Sequence, residues 1–318
     1  MPRYAYLLGS LTLVGCAVGT FANGDGKQGF GSDGGGYSLN GDGGSMASGA
    51  SVIYAHSDTE LYSLDPTTSV MTDIGPFDDG SGNLSAITDL AVNDTGDVWV
   101  NSESAIYRAT LPNGQGPVTL SLVANIALGS GQYFYALGFA PAGVLGSGET
   151  LVAGDNNGVL YAIATNGQTT ELGSFGTNSS GSTYELSGDV MFFMQSGTPR
   201  GLATVRTCSK SGTCDTTNDI LAEINVPAMT TAYQTKTVAA SLTKQLLGSG
   251  TGYGRLFGIG AWNNQVFAFS RTSGDTPAQL IAIDGTGTGQ VVQSFSQISG
   301  GWSGAGVTTT ATVTILPN

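Results

Sequence analysis

The stretch LVAGDNNGVLYAI, residues 151–163, contains two short apolar runs separated by Asp, Asn and Gly. Such runs bounded by turn residues are typical of a β-hairpin. A similar stretch, VWVNSESAIYRA, occurs at 98–109. The second strand of the hairpin recurs every roughly 45 to 60 residues, which indicates a repeated unit. The repeats are LYSLD (61–65), IYRAT (106–110), LYAIA (160–164), ILAEIN (220–225) and QLIAID (279–284).

A third run precedes every hairpin except the first, and a weaker outer strand follows the hairpin, as in GQTTELGSF (167–175) and GQVVQSF (289–295). Gly and Ala are frequent in the third run, as expected where innermost strands crowd a central axis. Each unit therefore has four strands. The third runs are ITDLAV (87–92), YALGFA (135–140), YELSGDV (184–190), LFGIGA (256–261) and SGAGVTT (303–309).

The last third run has no hairpin after it, and the first hairpin, which starts at Val52, has no such run before it. We therefore predict that 303–309 returns to complete the first unit, which leaves no large unpaired sheet edge. The predicted fold is an all-β propeller over 51–310 with about five four-stranded blades and a C-terminal tail at 311–318. A sixth blade would fit if 230–247 contains a further hairpin, and a pair of sandwiches is the weaker alternative.

The N-terminus has the layout of an export signal. Arg3 is its only charge, and Tyr4 to Gly15 form an apolar segment shorter than the ~20 residues of a membrane-spanning helix. Leu13-Val14-Gly15-Cys16 resembles the bacterial lipobox, in which the cysteine becomes the first mature residue and carries the lipid. We predict a signal peptide at 1–15 and lipidation at Cys16; the alternative is an ordinary signal cleaved after Ala22.

Residues 16–50 are rich in glycine and lack enough apolar side chains to offset the entropy of ordering them, which predicts a flexible tether. The net charge of −13 argues against nucleic acid as a partner and against attachment to anionic lipid through surface charge. Together these features predict an exported protein held by its lipid at the outer membrane, on the periplasmic or the cell-surface side.

Two further cysteines, Cys208 and Cys214, are close together in the sequence. In an oxidising compartment this pair is expected to form a disulfide rather than remain as two free thiols. A zinc site would need further Cys or His ligands, and the chain has one histidine.

Three stretches resemble the repeats of uncharacterised lipoprotein propellers from myxobacteria and related bacteria: LYSLDPTTSVMTDIG (61–75), YELSGDV (184–190) with the following cysteine pair, and RLFGIGAWNNQVFAF (255–269). The resemblance covers most of 51–309 and implies a propeller fold and export. It implies no activity. The chain departs from the pattern in IYRATLPNG (106–114), which lacks the usual Asp-Pro turn.

The sequence gives little support to catalysis. His56, the single histidine, follows the strand VIYA, and we expect it to lie at the surface. No cofactor or metal motif is recognisable. Three acidic loops could in principle bind Ca²⁺, but none has the spacing of a known calcium loop, and we interpret them as turns. They contain Asp78 and Asp79, Asp94 and Asp97, and Asp155 with Asn156 and Asn157.

Superposition of the repeats places one group of residues at or just before the inner strands, where a propeller has one mouth of its channel. Aromatic rings combined with a few charges are typical of a small-molecule or glycan pocket. The alternative is that these residues plug the channel and bury its rim. The predicted mouth residues are Asp89, Tyr135, Tyr184, Glu185, Arg255 and Trp302.

Two functions are compatible with these observations. The first is a membrane-anchored, non-catalytic module that binds a protein or glycan partner. The alternative is a polysaccharide hydrolase or lyase that uses Asp89 and Glu185 as paired carboxylates, which would have to lie within ~10 Å of each other.

Overall fold

A computed structural model describes residues 53–126, 129–262, 264–271, 277–298, 300–311 and 314. The predicted signal peptide, the predicted tether and the predicted lipidation site Cys16 lie outside these residues. The structure therefore describes the predicted propeller and not these three N-terminal features.

The described residues form twenty β-strands and one α-helix. The strands are β1 Ile53–His56, β2 Glu60–Asp65, β3 Val70–Asp78, β4 Ile87–Val92, β5 Val98–Ser102, β6 Ala105–Thr110, β7 Val118–Asn125, β8 Phe134–Ala140, β9 Thr150–Asp155, β10 Val159–Ile163, β11 Thr169–Ser174, β12 Thr183–Gln195, β13 Thr198–Cys208, β14 Ile220–Ile224, β15 Thr243–Leu247, β16 Leu256–Trp262, β17 Gln265–Ser270, β18 Ala278–Ile283, β19 Gly289–Phe295 and β20 Gly304–Val307. The helix is α1, Val226–Thr235.

The strands pair into five four-stranded antiparallel blades. From the inner to the outer strand, blade 1 is β20-β1-β2-β3, blade 2 is β4-β5-β6-β7, blade 3 is β8-β9-β10-β11, blade 4 is β12-β13-β14-β15 and blade 5 is β16-β17-β18-β19. A short parallel contact between β3 and β7 also joins the outer edges of blades 1 and 2. The predicted all-β fold with five four-stranded blades is confirmed.

The C-terminal strand closes the ring. In blade 1, β20 pairs with β1 in an antiparallel ladder that runs from Ile53 opposite Val307 to His56 opposite Gly304. The predicted return of the C-terminus to the first blade is therefore confirmed. Blade 1 combines strands from the first and the last part of the repeat array. It therefore has four strands, like the other blades.

The chain after β20 contacts three further blades. The Thr308 hydroxyl donates to the Asn93 carbonyl at 2.8 Å, and the Thr309 hydroxyl donates to the Glu149 carboxylate. The Met194 amide then donates to the Ala311 carbonyl at 3.3 Å. This segment contacts blades 2, 3 and 4 in turn and adds to the strand pairing that fixes the C-terminus.

The inner strands pack closely around the axis. They contact one another in the order β4, β8, β12, β16, β20 and back to β4. A cavity of about 10 Å³ between them, lined mainly by apolar residues, has room for about one water molecule. A side chain at Gly138 would place its Cβ 2.7 Å from the Val190 carbonyl oxygen of the next blade. The preference for small residues in these strands follows from this crowding.

Helix α1 lies between the two outer strands of blade 4, within the segment where an extra hairpin was the alternative. The Asn225 side chain accepts from the Ala228 amide at 3.1 Å and caps the first turn, and Val226, Met229 and Ala232 form its buried face. The sequence did not predict this helix, because only three apolar residues, each about one helical turn after the last, indicate it. The segment 230–247 therefore contributes a helix end and β15, not a sixth blade.

Candidate binding mouth and buried acid pair

The inner strands of blades 2, 3 and 5 begin with a β-bulge. Their pairing with the second strand shifts between Ile87 and Asp89, between Phe134 and Ala136, and between Leu256 and Gly258. A bulge inserts one unpaired residue and turns its side chain away from the regular ladder direction. The inserted residues are Thr88, Tyr135 and Phe257, and all three are half-buried.

We use the term mouth for the half-buried side chains where the inner strands of blades 2 to 5 begin: Thr88, Tyr135, Tyr184, Glu185, Arg255 and Phe257. Four of the six sequence-predicted residues, Tyr135, Tyr184, Glu185 and Arg255, belong to this set. Phe257 was missed because the repeats were aligned without the bulges. An available signal was that Phe257 precedes Gly258 in the same way as Tyr135 precedes Ala136.

Blades 3 and 4 meet at Tyr135. Its hydroxyl donates to the Leu186 carbonyl of β12, and its ring centroid lies 6.3 Å from that of Tyr133. Burial raises the pKa of the Tyr135 hydroxyl, so the hydroxyl remains a donor at any physiological pH. On the blade 4 side, Glu185 and Arg206 form an ion pair at 3.7 Å.

Blades 5 and 1 meet at a second ion pair. The Arg271 guanidinium donates to both Asp58 carboxylate oxygens at 2.5 and 2.8 Å, and its Cζ lies 6.0 Å from the centre of the Phe257 ring. Burial alone would raise the pKa of Asp58, but the bonds from Arg271 and Ser303 outweigh it and lower the pKa. This acid therefore stays ionised and paired.

Arg255 differs from the other arginines that the structure describes. Its backbone carbonyl accepts from the Arg271 amide at 2.8 Å, and its φ of 58° is unusual for a residue other than glycine. Within the described residues it forms no ion pair, whereas the other arginines pair with Asp97, Glu223, Glu185 and Asp58.

Two predicted mouth residues are in fact buried. Trp302 is 0% exposed, and its ring packs edge-on against Tyr62, Phe269 and Phe295 at centroid distances of 5.3 to 5.6 Å. These contacts place Trp302 in the hydrophobic core that joins blades 1 and 5. The prediction for Trp302 is wrong because its ring fills the space between two blades, a neighbour that the repeat alignment does not contain.

Asp89 is the second correction. It is also 0% exposed, and its oxygens accept from the Leu90 amide at 2.8 Å and from the Leu137 amide of blade 3 at 2.7 Å. Asp189 has the same arrangement in blade 4: it accepts from the Val190 amide at 2.5 Å and from the Ile259 amide of blade 5 at 2.7 Å. The equivalent Asp in ITDLAV and SGDV was the available signal for Asp189.

The two carboxyl groups form a pair. Besides burial, the nearby charge of Asp189 raises the pKa of the Asp89 carboxyl group. Burial raises the pKa of both groups well above the usual value, because an isolated carboxylate is costly in a low-dielectric interior. We use the term acid pair for Asp89 and Asp189.

His56 is buried and does not lie at the surface as expected. It is 0% exposed, its Nδ1 donates to the Ser57 carbonyl at 2.6 Å, and its Nε2 has no hydrogen-bond partner among the described residues. Burial lowers the pKa of the imidazole to about 4, so the ring is neutral at physiological pH. The sequence prediction was wrong because β20 and the preceding residues cover the strand end on which His56 lies.

The acidic loops form turns. Asp78 and Asp79 accept from the Gly80 and Ser81 amides at 2.8 and 2.9 Å, and Asp155 accepts from the Asn157 amide at 2.9 Å. These three carboxylates thus satisfy the turns in which they lie. In the loop with Asp94 and Asp97, it is the Asn93 side chain that accepts the Thr95 and Asp97 amides, at 3.1 and 2.7 Å.

The predicted disulfide between Cys208 and Cys214 is confirmed, and it joins the end of β13 to the following loop. Glu185 lies 3.4 Å from the Cys214 sulfur. In the described part of the chain, these three residues are the one group of potential metal ligands whose donor atoms all lie within 4.8 Å of one another, but both sulfurs are committed to the disulfide. Among the described residues, no helix has the length and apolar composition needed to cross a membrane.

The sheet order and the ring of inner strands define the chain as a five-bladed β-propeller whose mouth contains three aromatic rings, Arg255 and Glu185. No protein-family model and no curated protein matches it. Among solved structures, it is similar to a protein of unknown function from Bacteroides caccae, with 11% identity, a TM-score of 0.40, and coverage of 81% of this chain and 98% of that one.

Two further similarities have the same character. A structure from a nidogen–laminin complex has 13% identity and a TM-score of 0.45, and the match covers 81% of this chain and 98% of that one. The Dos1 propeller has 13% identity and a TM-score of 0.35, with coverage of 72% and 51%. The fold assignment rests on the strand pairing described above.

Proposed function

We propose that this chain is an exported, lipid-anchored β-propeller that acts as a non-catalytic binding module for a glycan or protein partner. The observation that carries the proposal is the composition of the mouth. Aromatic side chains from blades 3, 4 and 5 lie at the starts of the inner strands, as does Arg255, which forms no ion pair among the described residues, while Glu185 and Asp58 are already paired.

This composition suits recognition of a ligand with both apolar faces and polar groups. The rings of Tyr184 and Phe257 provide flat apolar surface, and Arg255 provides hydrogen-bond donors in a fixed plane. A sugar ring offers complementary CH faces and oxygen acceptors. We therefore place a glycan first, and a protein partner is the other outcome of the experiment below.

The two acids of the hydrolase hypothesis, Asp89 and Glu185, do not support it. A glycosidase needs two carboxyl groups that reach opposite sides of one bond. Asp89 is fully buried and accepts two backbone amides, and Glu185 is paired with Arg206. Its burial removes Asp89 as the second acid that the hydrolase hypothesis requires.

The proposed location rests on the sequence. The lipobox-like LVGC ending at Cys16 would attach the chain to the outer membrane, and the glycine-rich 16–50 would separate the propeller from the lipid surface. The disulfide supports export, because such bonds persist in oxidising compartments.

The binding surface is tested with a variant that carries Tyr184→Ala, Arg255→Ala and Phe257→Ala. The matched control carries Leu122→Ala and Val292→Ala, which remove exposed apolar side chains from the outer strands β7 and β19. Each form is crosslinked in native cells and recovered with its partner. We expect the control to recover the wild-type partner and the triple variant to recover at least about tenfold less.

Two results would contradict the proposal: equal recovery by the triple variant, or no partner for the wild-type protein. Periodate treatment of the captured material, which destroys sugar rings, distinguishes a glycan from a protein partner. The anchor is tested separately by labelling with a fatty-acid analogue. The label should enter the wild-type chain and be absent after Cys16→Ala; equal labelling of both would exclude Cys16.

A further inference from the structure

Three asparagines among the described residues are followed directly by glycine: Asn113, Asn157 and Asn166. An Asn-Gly pair is able to modify itself without an enzyme. The glycine amide nitrogen attacks the side-chain carbonyl carbon of the asparagine, ammonia leaves, and a cyclic succinimide forms. Water then opens the ring to aspartate or isoaspartate. Glycine favours the attack because it has no Cβ to shield its nitrogen and lets the backbone turn freely.

The folded structure decides which of these pairs reacts. The attacking amide must be free of hydrogen bonds, the asparagine side chain must be free to swing toward it, and the turn must have room to change its backbone angles. Where these groups are held in place, the turn has to open first. The reaction is then slowed in proportion to the small fraction of time that the turn spends open.

Asn113 meets all three conditions. It lies in the loop between β6 and β7, and both Asn113 and Gly114 are exposed. In the described part of the chain, neither the Asn113 side chain nor the Gly114 amide forms a hydrogen bond. A Cβ at Gly114 would have no heavy atom within 4 Å, so the turn has open space around it.

Asn157 is held in its turn on both sides. The Gly158 amide donates to the Asp155 carbonyl at 3.0 Å, and the Asn157 side-chain amide donates to the Asp155 carboxylate at 3.4 Å. The turn is also packed against blade 4, because a Cβ at Gly158 would lie 2.9 Å from the Leu186 amide nitrogen. The nucleophile of this pair is therefore occupied.

Asn166 is held in a similar way. The Gly167 amide donates to the Ala164 carbonyl at 2.9 Å, and Asn166 Oδ1 accepts from the Gln168 amide at 3.1 Å. A Cβ at Gly167 would lie 2.5 Å from the Asn125 carbonyl oxygen of blade 2, so this turn also lacks room to rearrange.

We propose that Asn113 is a site of spontaneous deamidation in the folded protein. The Gly114 nitrogen loses its proton and bonds to Asn113 Cγ, the bond from Cγ to the side-chain nitrogen breaks, and ammonia is released. Water adds to the succinimide, and the product is a carboxylate that gives the loop an additional negative charge. In the isoaspartate product the main chain runs through the former side-chain carbon and becomes longer at this position.

The modified position lies beside a contact between blades 1 and 2. The Gly116 amide donates to the Ile74 carbonyl at 2.8 Å, and the Gln115 side chain donates to the Asp73 carboxylate at 2.9 Å. Both bonds join the β6–β7 loop to β3, at the edge where β3 and β7 run in parallel. The added charge and the longer main chain therefore enter the loop next to this contact.

The test compares the folded full chain with the same chain unfolded in guanidinium chloride and a thiol, both at mildly alkaline pH. Incubation ends when half of Asn157 in the unfolded chain has been converted, as measured by peptide mass spectrometry. The unfolded chain should convert all three asparagines at similar rates, because they share the same dipeptide. In the folded chain, Asn113 should be converted at least about tenfold more than Asn157 or Asn166.

Two variants assign the signal. Asn113→Gln should abolish conversion at this position in the folded chain, because the longer side chain closes its ring far more slowly. Asn166→Gln is the matched control and should leave conversion of Asn113 unchanged. Folded wild-type protein in which Asn113 stays intact over the incubation would overturn the proposal. Equal conversion of all three asparagines in the folded chain would also overturn it, because the fold would then not select the site.

Discussion

At the scale of single residues, the buried acids join neighbouring blades. Asp89 accepts an amide from blade 3, and both Asp189 and Asp219 accept amides from blade 5. An inner-strand amide that faces the next blade has no ladder partner on that side, so the carboxyl oxygen satisfies it. Burial of these acids is therefore part of how the blades are held in register.

Asp219 makes the stability depend on pH. Burial raises the pKa of its carboxyl group to about 6, from a usual value of 3.8, although the Ser187 hydroxyl and the Leu256 amide oppose the shift. The native state thus holds a proton between pH 4 and 6 that the unfolded chain has released, so the free energy of unfolding falls as pH rises through this range.

We expect Asp219→Asn to remove this contribution, which falls by about 2 kcal/mol between pH 4 and 6.5. Urea unfolding of both proteins across this range measures it. Asp284→Asn is the control, because the pKa of this exposed acid is lowered and its titration falls below the range. Parallel pH profiles for wild type and Asp219→Asn would show that Asp219 is not protonated in the native state.

Trp302 should contribute to stability and not to ligand binding. Trp302→Ala removes the ring that packs against Tyr62, Phe269 and Phe295, and we expect a loss of about 3 to 5 kcal/mol in the free energy of unfolding. Val292→Ala on the exposed part of β19 should change it by less than about 0.5 kcal/mol. A small loss in Trp302→Ala, measured by chemical denaturation, would mean that the ring is not in the core.

At the scale of strands and loops, the disulfide fixes the loop after β13. The Cys208 and Cys214 positions also form an isolated bridge, and the Ser209 amide donates to the Thr213 carbonyl at 2.8 Å. The hydrogen bonds should keep the loop folded after the covalent link is removed, so the disulfide acts mainly on the unfolded chain.

Replacing both cysteines with serine should lower the free energy of unfolding by about 2 kcal/mol, the loop-closure value for so short a separation. Comparison of the double variant with the wild type under non-reducing conditions measures this. Reduction of the wild-type protein with a thiol should give the same loss and serves as the internal control. A double variant as stable as the oxidised wild type would contradict the expected contribution.

The sequence predicts the strands well because each hairpin is specified locally by apolar runs and turn residues such as those at 154–158. It predicts closure because 303–309 lacks its own hairpin. It does not predict the burial of Trp302 or His56, because the groups that cover them come from a different blade. The one-residue shift at each bulge also decides which side chain reaches the mouth, and this shift hid Phe257.

At the scale of the whole molecule, the ring depends on the pairing of two distant parts of the chain. Blade 1 is complete only when β20 lies beside β1, and the residues after β20 contact blades 2, 3 and 4. This closure places Gly304 against His56 and Asp89, where a Cβ would lie 2.4 Å from His56 Nε2 and 2.1 Å from Asp89 Oδ1. The mouth, the acid pair and the core around Trp302 therefore all depend on the same contact.

An engineered crosslink tests this closure most directly. Ala55 and Ala305 lie opposite each other in the β1–β20 ladder, so a variant with Ala55→Cys and Ala305→Cys should form a second disulfide in folded protein, detectable by mass spectrometry of the joined peptides. Ala55→Cys with Ala153→Cys, in blade 3, is the control and should not crosslink. Folded protein of the first variant in which both introduced thiols stay free would contradict the closed ring.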